Sequence, residues 1–121
     1  MQISLLKKLA SYDHIIWDYN GTLLDDVEIT CEAINTQLKK FALSSITSDQ
    51  YRNGFCFPIH AYYEQLGFDP HQFDKINQGF LHYYRANRYR ARLFPQTLEI
   101  LNKLKNQGCR LSVLSAAHEA D

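Results

Sequence analysis

Asp18 has the setting in this chain that most favours chemistry. It follows the apolar run Ile15-Ile16-Trp17 and leads straight into Tyr19-Asn20-Gly21-Thr22-Leu23. Apolar residues bounded by a turn signal predict a short buried strand, and Asn-Gly supplies the positive φ that a sharp exit needs. A carboxylate is thereby held at a strand tip, and in an open α/β sheet ligands bind in the crevice outside the carboxyl ends of the strands. The plainer alternative is a strand-to-helix turn in which Thr22 acts as a local cap. A second apolar run, Leu111-Ser112-Val113-Leu114, ends at Ser115 and points to a second strand tip carrying a hydroxyl.

Other side chains offer weaker chemistry. Asp25 and Asp26 precede a helical pattern and read as caps rather than catalysts. Arg85, Arg88, Arg90 and Arg92, with Tyr83, Tyr84 and Tyr89 among them, form a basic cluster best read as a solvated helix end, from which one arginine could select an acidic substrate. His14, His60, His71, His82 and His118 never fall at metal-ligand spacing on one helix. Cys31, Cys56 and Cys109 are odd in number and widely spaced, which predicts buried free thiols rather than a disulfide framework or zinc site.

The elements that must position Asp18 and Ser115 follow from apolar spacing. Val27, Cys31, Ile34, Leu38 and Phe41 predict a long helix. Thr47-Ser48-Asp49-Gln50 offers a capping box for a short second helix ending near Asn53-Gly54. Pro58 opens a third, with Ile59, Tyr62, Tyr63 and Leu66 inward and Gly67 as its stop. A fourth runs from about His71, with Phe73, Ile76, Phe80, Leu81 and Tyr84 inward. Leu93-Phe94-Pro95 then opens a helix bearing Leu98, Leu101 and Leu104, Gly108 ends it, and Cys109 to Ser115 form a second buried strand.

With 121 residues, 45% hydrophobic and 21% charged, the chain has the composition of a soluble globular protein. Its formal net charge of +0 provides no global field for nucleic acid or an anionic membrane. The N-terminal segment lacks the features of a signal peptide, and no segment approaches the ~20 apolar residues of a membrane span. These features predict a cytoplasmic protein with neither nucleic acid nor membrane as partner.

Asp18-Tyr19-Asn20-Gly21-Thr22-Leu23 resembles the first motif of the haloacid dehalogenase-like hydrolases, usually Asp-x-Asp-Gly-Thr-Leu/Val, and Leu111 to Ala116 resembles their second, an apolar strand ending in Ser or Thr. Their order, with a helical insert between, is similar to the phosphoglycolate phosphatase-like branch. The resemblance implies an α/β fold: a partial Rossmann-like parallel sheet core over residues 1–24 and 93–121, with an α-helical cap bundle inserted at 25–92. It also implies hydrolysis of phosphate monoesters of small molecules through an aspartyl-phosphate on Asp18. Magnesium would be held by the Asp18 carboxylate and the Asn20 backbone carbonyl. The amides of Tyr19 to Gly21 and the Ser115 hydroxyl would hold the phosphate. Cap residues would set specificity, with Phe55-Cys56-Phe57-Pro58 as a loop over the site.

Asn20 departs from the motif, where an aspartate usually serves as general acid and base. A carboxamide cannot exchange a proton at working pH, and losing such a group costs roughly 100- to 10,000-fold in rate. Four explanations are open: a good leaving group, an acid from elsewhere, a weakened catalyst, or deamidation of Asn20-Gly21 to aspartate. The resemblance also implies a later lysine and acidic pair. No Lys follows Lys105, and only Glu119 and Asp121 remain. The expectation is therefore an amino-terminal part of such a hydrolase, inactive alone, with an exposed sheet edge able to self-associate. Haloacid dehalogenation and a non-catalytic binding module are the alternatives.

Overall fold

A computed structural model describes residues 3–117, so His118, Glu119 and Asp121 lie outside the described residues. The fold is α/β, and the chain divides into two compact units, residues 1–26 with 91–121 and residues 27–90. The division expected at 24/25 and 92/93 lies two residues from each boundary.

The α/β unit begins with α1 (Ile3–Ala10) and β1 (His14–Trp17), and its second main strand is β4 (Arg110–Val113). The strands run parallel, with His14 opposite Arg110 and Trp17 opposite Val113. Bonds from Arg110 N–H to the Asp13 carbonyl, 2.8 Å, and from Leu114 N–H to the Trp17 carbonyl, 2.9 Å, extend the pairing at both ends. Between the strands lies α6 (Thr97–Asn106), which packs on β4 and α1. Gly108, at φ +87°, provides the turn from α6 into β4.

Three expectations change here. The strands are not buried: Ile16 is 60% exposed and Leu114 72%, while Ile15, Trp17 and Leu111 are half-buried. Successive strand residues face opposite sides, so burial on one face leaves its neighbours open unless a second layer covers them. Leu98 points outward at 63% exposure, because α6 buries the Thr97, Ile100, Leu101 and Leu104 stripe at i, i+3, i+4 and i+7. Leu93 does not open a helix. It belongs to β3 (Arg92–Leu93), which pairs antiparallel with β2 (Leu24–Asp25). Two-residue strands have no periodicity to read, since their partner lies far along the chain.

The helical unit contains α2 (Val27–Lys40), α3 (Ser48–Gly54), α4 (Ile59–Gln65) and α5 (Phe73–Asn87). The capping box forms as expected: Thr47 Oγ1 accepts from Gln50 N–H at 3.1 Å, and Gln50 Oε1 accepts from Thr47 N–H at 2.8 Å. A 3₁₀ turn over Pro70–Gln72 precedes α5, capped by Asp69, so the α-helix starts after His71 rather than at it. Ile34, Leu38, Tyr62, Tyr63, Phe68 and Ile76 make the buried core, against which Phe41, Leu66, Phe73 and Phe80 pack. Ile59 was expected inward and is instead exposed, one turn before the buried Tyr62-Tyr63 pair. Cys31 and Cys109 are buried free thiols, but Cys56 is only half-buried.

Two polar contacts shape this unit. Gly79 on α5 stands where an added Cβ would meet Gln37 of α2 at 2.6 Å from its Cδ. Glu32 accepts two bonds from Arg90, at 2.7 and 2.9 Å, and one from the Tyr83 hydroxyl at 2.9 Å. The guanidinium beside it, helped by Tyr83, holds the Glu32 carboxyl below the usual carboxylate range. Arg90, from the expected solvated basic cluster, thus closes one end of the helical unit.

Candidate functional site

β1 ends at Trp17, and Asp18 stands one residue past it, exposed to solvent. The following loop closes on the Tyr19 carbonyl, which accepts N–H groups from Thr22, Leu23 and Leu24 at 2.9 to 3.2 Å. Gly21 takes φ +76°, a conformation that glycine reaches without steric cost. Asn-Gly therefore serves as the expected sharp exit.

Within this loop the Thr22 hydroxyl donates to Asp18 Oδ2 at 3.0 Å. That bond holds one carboxylate oxygen, and the side chain remains exposed to a substrate. Asn20 is held from two sides: its Nδ2 donates to Asp26 Oδ2 at 2.9 Å, and its Oδ1 accepts from the Ser115 hydroxyl at 3.5 Å. Ser115 also accepts the Ala117 N–H at 3.1 Å. Asn20 thus links the tip of β1 to the segment after β4 and to Asp26.

Asp26 is only 6% exposed. A buried carboxylate needs donors, and a hydrogen bond to a charged group contributes about 1.5–3 kcal/mol. Asn20 supplies one donor. An aspartate at position 20 would place a second carboxylate there instead, so the departure from the usual motif matches its local environment. The arrangement also bears on deamidation, which requires the Gly21 nitrogen to attack the Asn20 side chain. Gly21 N–H is bound to the Leu24 carbonyl at 2.9 Å, and both ends of the Asn20 amide are engaged.

Gly21 had been expected to give its amide to a phosphate. Its bond to Leu24 takes that donor up within the loop. Tyr19 is half-buried beside the exposed Asp18, and Ser115 is drawn toward Asn20. Asp26 and Thr22 are the partners that sequence reasoning did not assign. Thr22, four residues after Asp18, was legible only as a cap, and Asp26 reaches Asn20 only through loop closure.

Asp18 Oδ1 and Oδ2 and the Asn20 carbonyl are hard oxygen donors of the kind magnesium takes. Magnesium commonly uses one or two carboxylates and completes its shell with water and substrate phosphate. The donor chemistry fits. Among the described residues, however, no group of three or more His, Cys, Asp or Glu could hold a metal ion. No described helix is long and apolar enough to cross a membrane.

Comparison with curated proteins returns no match. The fold is shared with solved structures. One, described as a haloacid dehalogenase-like hydrolase from Bacteroides fragilis, has a TM-score of 0.78 at 23% identity, over 90% of this chain and 53% of that one. A haloacid dehalogenase-like family hydrolase from Streptococcus pneumoniae gives 0.75 at 24% identity, over 91% and 52%. A predicted phosphoglycolate phosphatase from Haemophilus somnus gives 0.72 at 22%, over 90% and 53%. The chain therefore spans about half the length of these structures. The sequence profile described as haloacid dehalogenase-like hydrolase matches residues 15–121, which contain Asp18, Asn20 and Ser115, and this protein belongs to that family.

Proposed function

We propose that this chain supplies the nucleophile-bearing half of a phosphatase that hydrolyses phosphate monoesters of small molecules. The observation that carries the reading is Asp18, an exposed carboxylate fixed just past a parallel strand by the Thr22 hydroxyl. An Asp18 oxygen attacks phosphorus in line, the P–O ester bond breaks, and an aspartyl-phosphate forms. Water then attacks phosphorus, releasing inorganic phosphate and restoring Asp18. The leaving oxygen must take its proton from solvent or from the substrate, because Asn20 cannot give one. This favours esters with good leaving groups.

Magnesium, held by the Asp18 carboxylate and the Asn20 carbonyl, would neutralise phosphate charge. The Tyr19 amide and the Ser115 hydroxyl are the proposed phosphate donors, with Gly21 joining only if its bond to Leu24 opens. We assign residues 27–90 the role of cap and selector of substrate. The Haemophilus somnus structure is described as a predicted phosphoglycolate phosphatase, which favours this chemistry over dehalogenation. With one carboxylate among the described residues to hold a metal ion and no proton donor at position 20, the 121-residue chain is expected to show no measurable turnover alone.

The test is phosphate release from p-nitrophenyl phosphate by the protein expressed from the complete gene. Magnesium-dependent turnover that falls by about 1,000-fold or more in Asp18→Asn is the expected result, since covalent catalysis ends with the nucleophile. Equal activity in that variant would remove the assignment. Metal-independent halide release from a 2-haloacid would favour the dehalogenase, and binding without turnover a non-catalytic module.

A further inference from the structure

We propose that the substrate is an acyl phosphate, in which the group leaving phosphorus is a carboxylate. The inference rests on the phosphatase reading above and narrows it to one substrate class. Its basis is the way position 20 is held. Asn20 Nδ2 donates to Asp26 Oδ2 at 2.9 Å, and Asn20 Oδ1 accepts from the Ser115 hydroxyl at 3.5 Å. An ionised carboxylate only accepts, so the buried Asp26 turns the amide nitrogen toward itself and leaves the amide oxygen for Ser115. Asn20 is thus set as a neutral amide that neither gives nor takes a proton.

The other polar side chains of the loop are committed as well. Among the described residues, Thr22 is the one side chain bonded to Asp18, and its hydroxyl aims its proton at the nucleophile itself. Asp26 accepts from Asn20 rather than facing Asp18. The loop therefore offers no acid to a departing oxygen.

The two chemical steps differ in what they demand of such a site. In the first, an Asp18 oxygen forms the new O–P bond, and the substrate's P–O bond breaks with its electron pair on the substrate oxygen. In the second, a water oxygen bonds to phosphorus, the pair returns to the Asp18 carboxylate, and the water's proton passes to solvent. Carboxylates, the conjugate bases of acids with pKa values of about 4, depart as stable anions, so the second step needs no acid for its leaving group. The first step depends on the substrate. An alkyl ester must expel an alkoxide, about as basic as hydroxide, whose conjugate acid has a pKa of about 15.7. Without an acid that departure loses roughly 100- to 10,000-fold. An acyl phosphate expels a carboxylate in the first step too. The aspartyl-phosphate is itself an acyl phosphate, so both steps then break the same kind of bond and neither leaving group calls for the donor that position 20 lacks.

The test compares acetyl phosphate with ethyl phosphate, its alkyl counterpart of the same carbon number, on the protein expressed from the complete gene. Phosphate release is followed by phosphorus NMR, with Asp18→Asn as the control for spontaneous hydrolysis. The comparison is made in kcat/KM, which covers the first step through departure of the first product. Ethyl phosphate should be at least about 1,000-fold slower, and phenyl phosphate, with a leaving-group pKa of about 10, should fall between the two. Ethyl phosphate within about tenfold of acetyl phosphate would overturn this inference alone, since it would reveal an acid acting on the leaving oxygen. Undiminished acetyl phosphate turnover in Asp18→Asn, or no turnover of any of these substrates, would overturn it together with the phosphatase reading beneath it.

Discussion

The two units solve the problem of burial differently. The helical unit covers its own apolar residues: Leu38 and Ile76 are essentially inaccessible, aromatic pairs fill the space around them, and its Glu32 carboxylate is matched by Arg90 and Tyr83. The α/β unit carries the proposed chemistry on two parallel strands and buries little beyond Leu23, Leu104 and Cys109, leaving Ile16 and Leu114 open. Helices with a local stripe can close on one another within 64 residues. Parallel strands cannot, because both faces need a covering layer. Cohesion and the proposed chemistry thus belong to different units.

Leu38→Ala should give the largest effect. It removes a side chain of 0% exposure and should destabilise the helical unit by about 2–5 kcal/mol, measured by urea unfolding followed through Tyr and Trp signals. A loss no larger than that of Ile16→Ala would erase the contrast between the units. Gly79→Ala should follow at about 1–3 kcal/mol, because the new methyl displaces the buried Gln37 side chain. That cost should shrink in a Gln37→Ala background, and an unchanged cost in the double-mutant cycle would show that Gln37 is not what Gly79 accommodates.

Asn20→Asp probes the other unit. Two carboxylates in the place of the 2.9 Å Asn20–Asp26 bond disfavour joint ionisation, raising the folded-state pKa of one of them. A raised carboxyl loses its stabilising contribution as pH climbs through that folded value. The variant should therefore match the parent near pH 3–4 and fall about 1–2 kcal/mol below it at neutral pH, one pKa unit being about 1.4 kcal/mol. The exchanged pair Asn20→Asp with Asp26→Asn should recover the loss. A deficit independent of pH would show that charge is not its cause. The smallest effect is expected for Ile16→Lys, within about 0.5 kcal/mol in stability, since that side chain is already mostly in water. The same change should suppress the self-association we expect along the open β1 edge, seen by sedimentation velocity. An unaltered sedimentation profile would place any association elsewhere.

The sequence by itself determined the local structure. The α2 stripe, the Thr47–Gln50 capping box, the Gly67 and Gly108 turns and the placement of Asp18 after an apolar run were all legible. Each depends on neighbours within about one or two turns of chain. The family was legible for the same reason, since its motif is contiguous from Asp18 to Leu23. Only the tertiary structure decided which apolar residues are covered, because Ile16, Leu98 and Ile59 look like core by composition and are exposed in the fold. It also decided the pairing of β2 with β3, which brings Leu24 to its partner Leu93, 69 positions along the chain. Above all it decided what Asn20 does. The sequence marks a missing proton donor, whereas the loop brings that amide against the buried Asp26 carboxylate, a contact that exists only once the Tyr19 carbonyl has closed the turn.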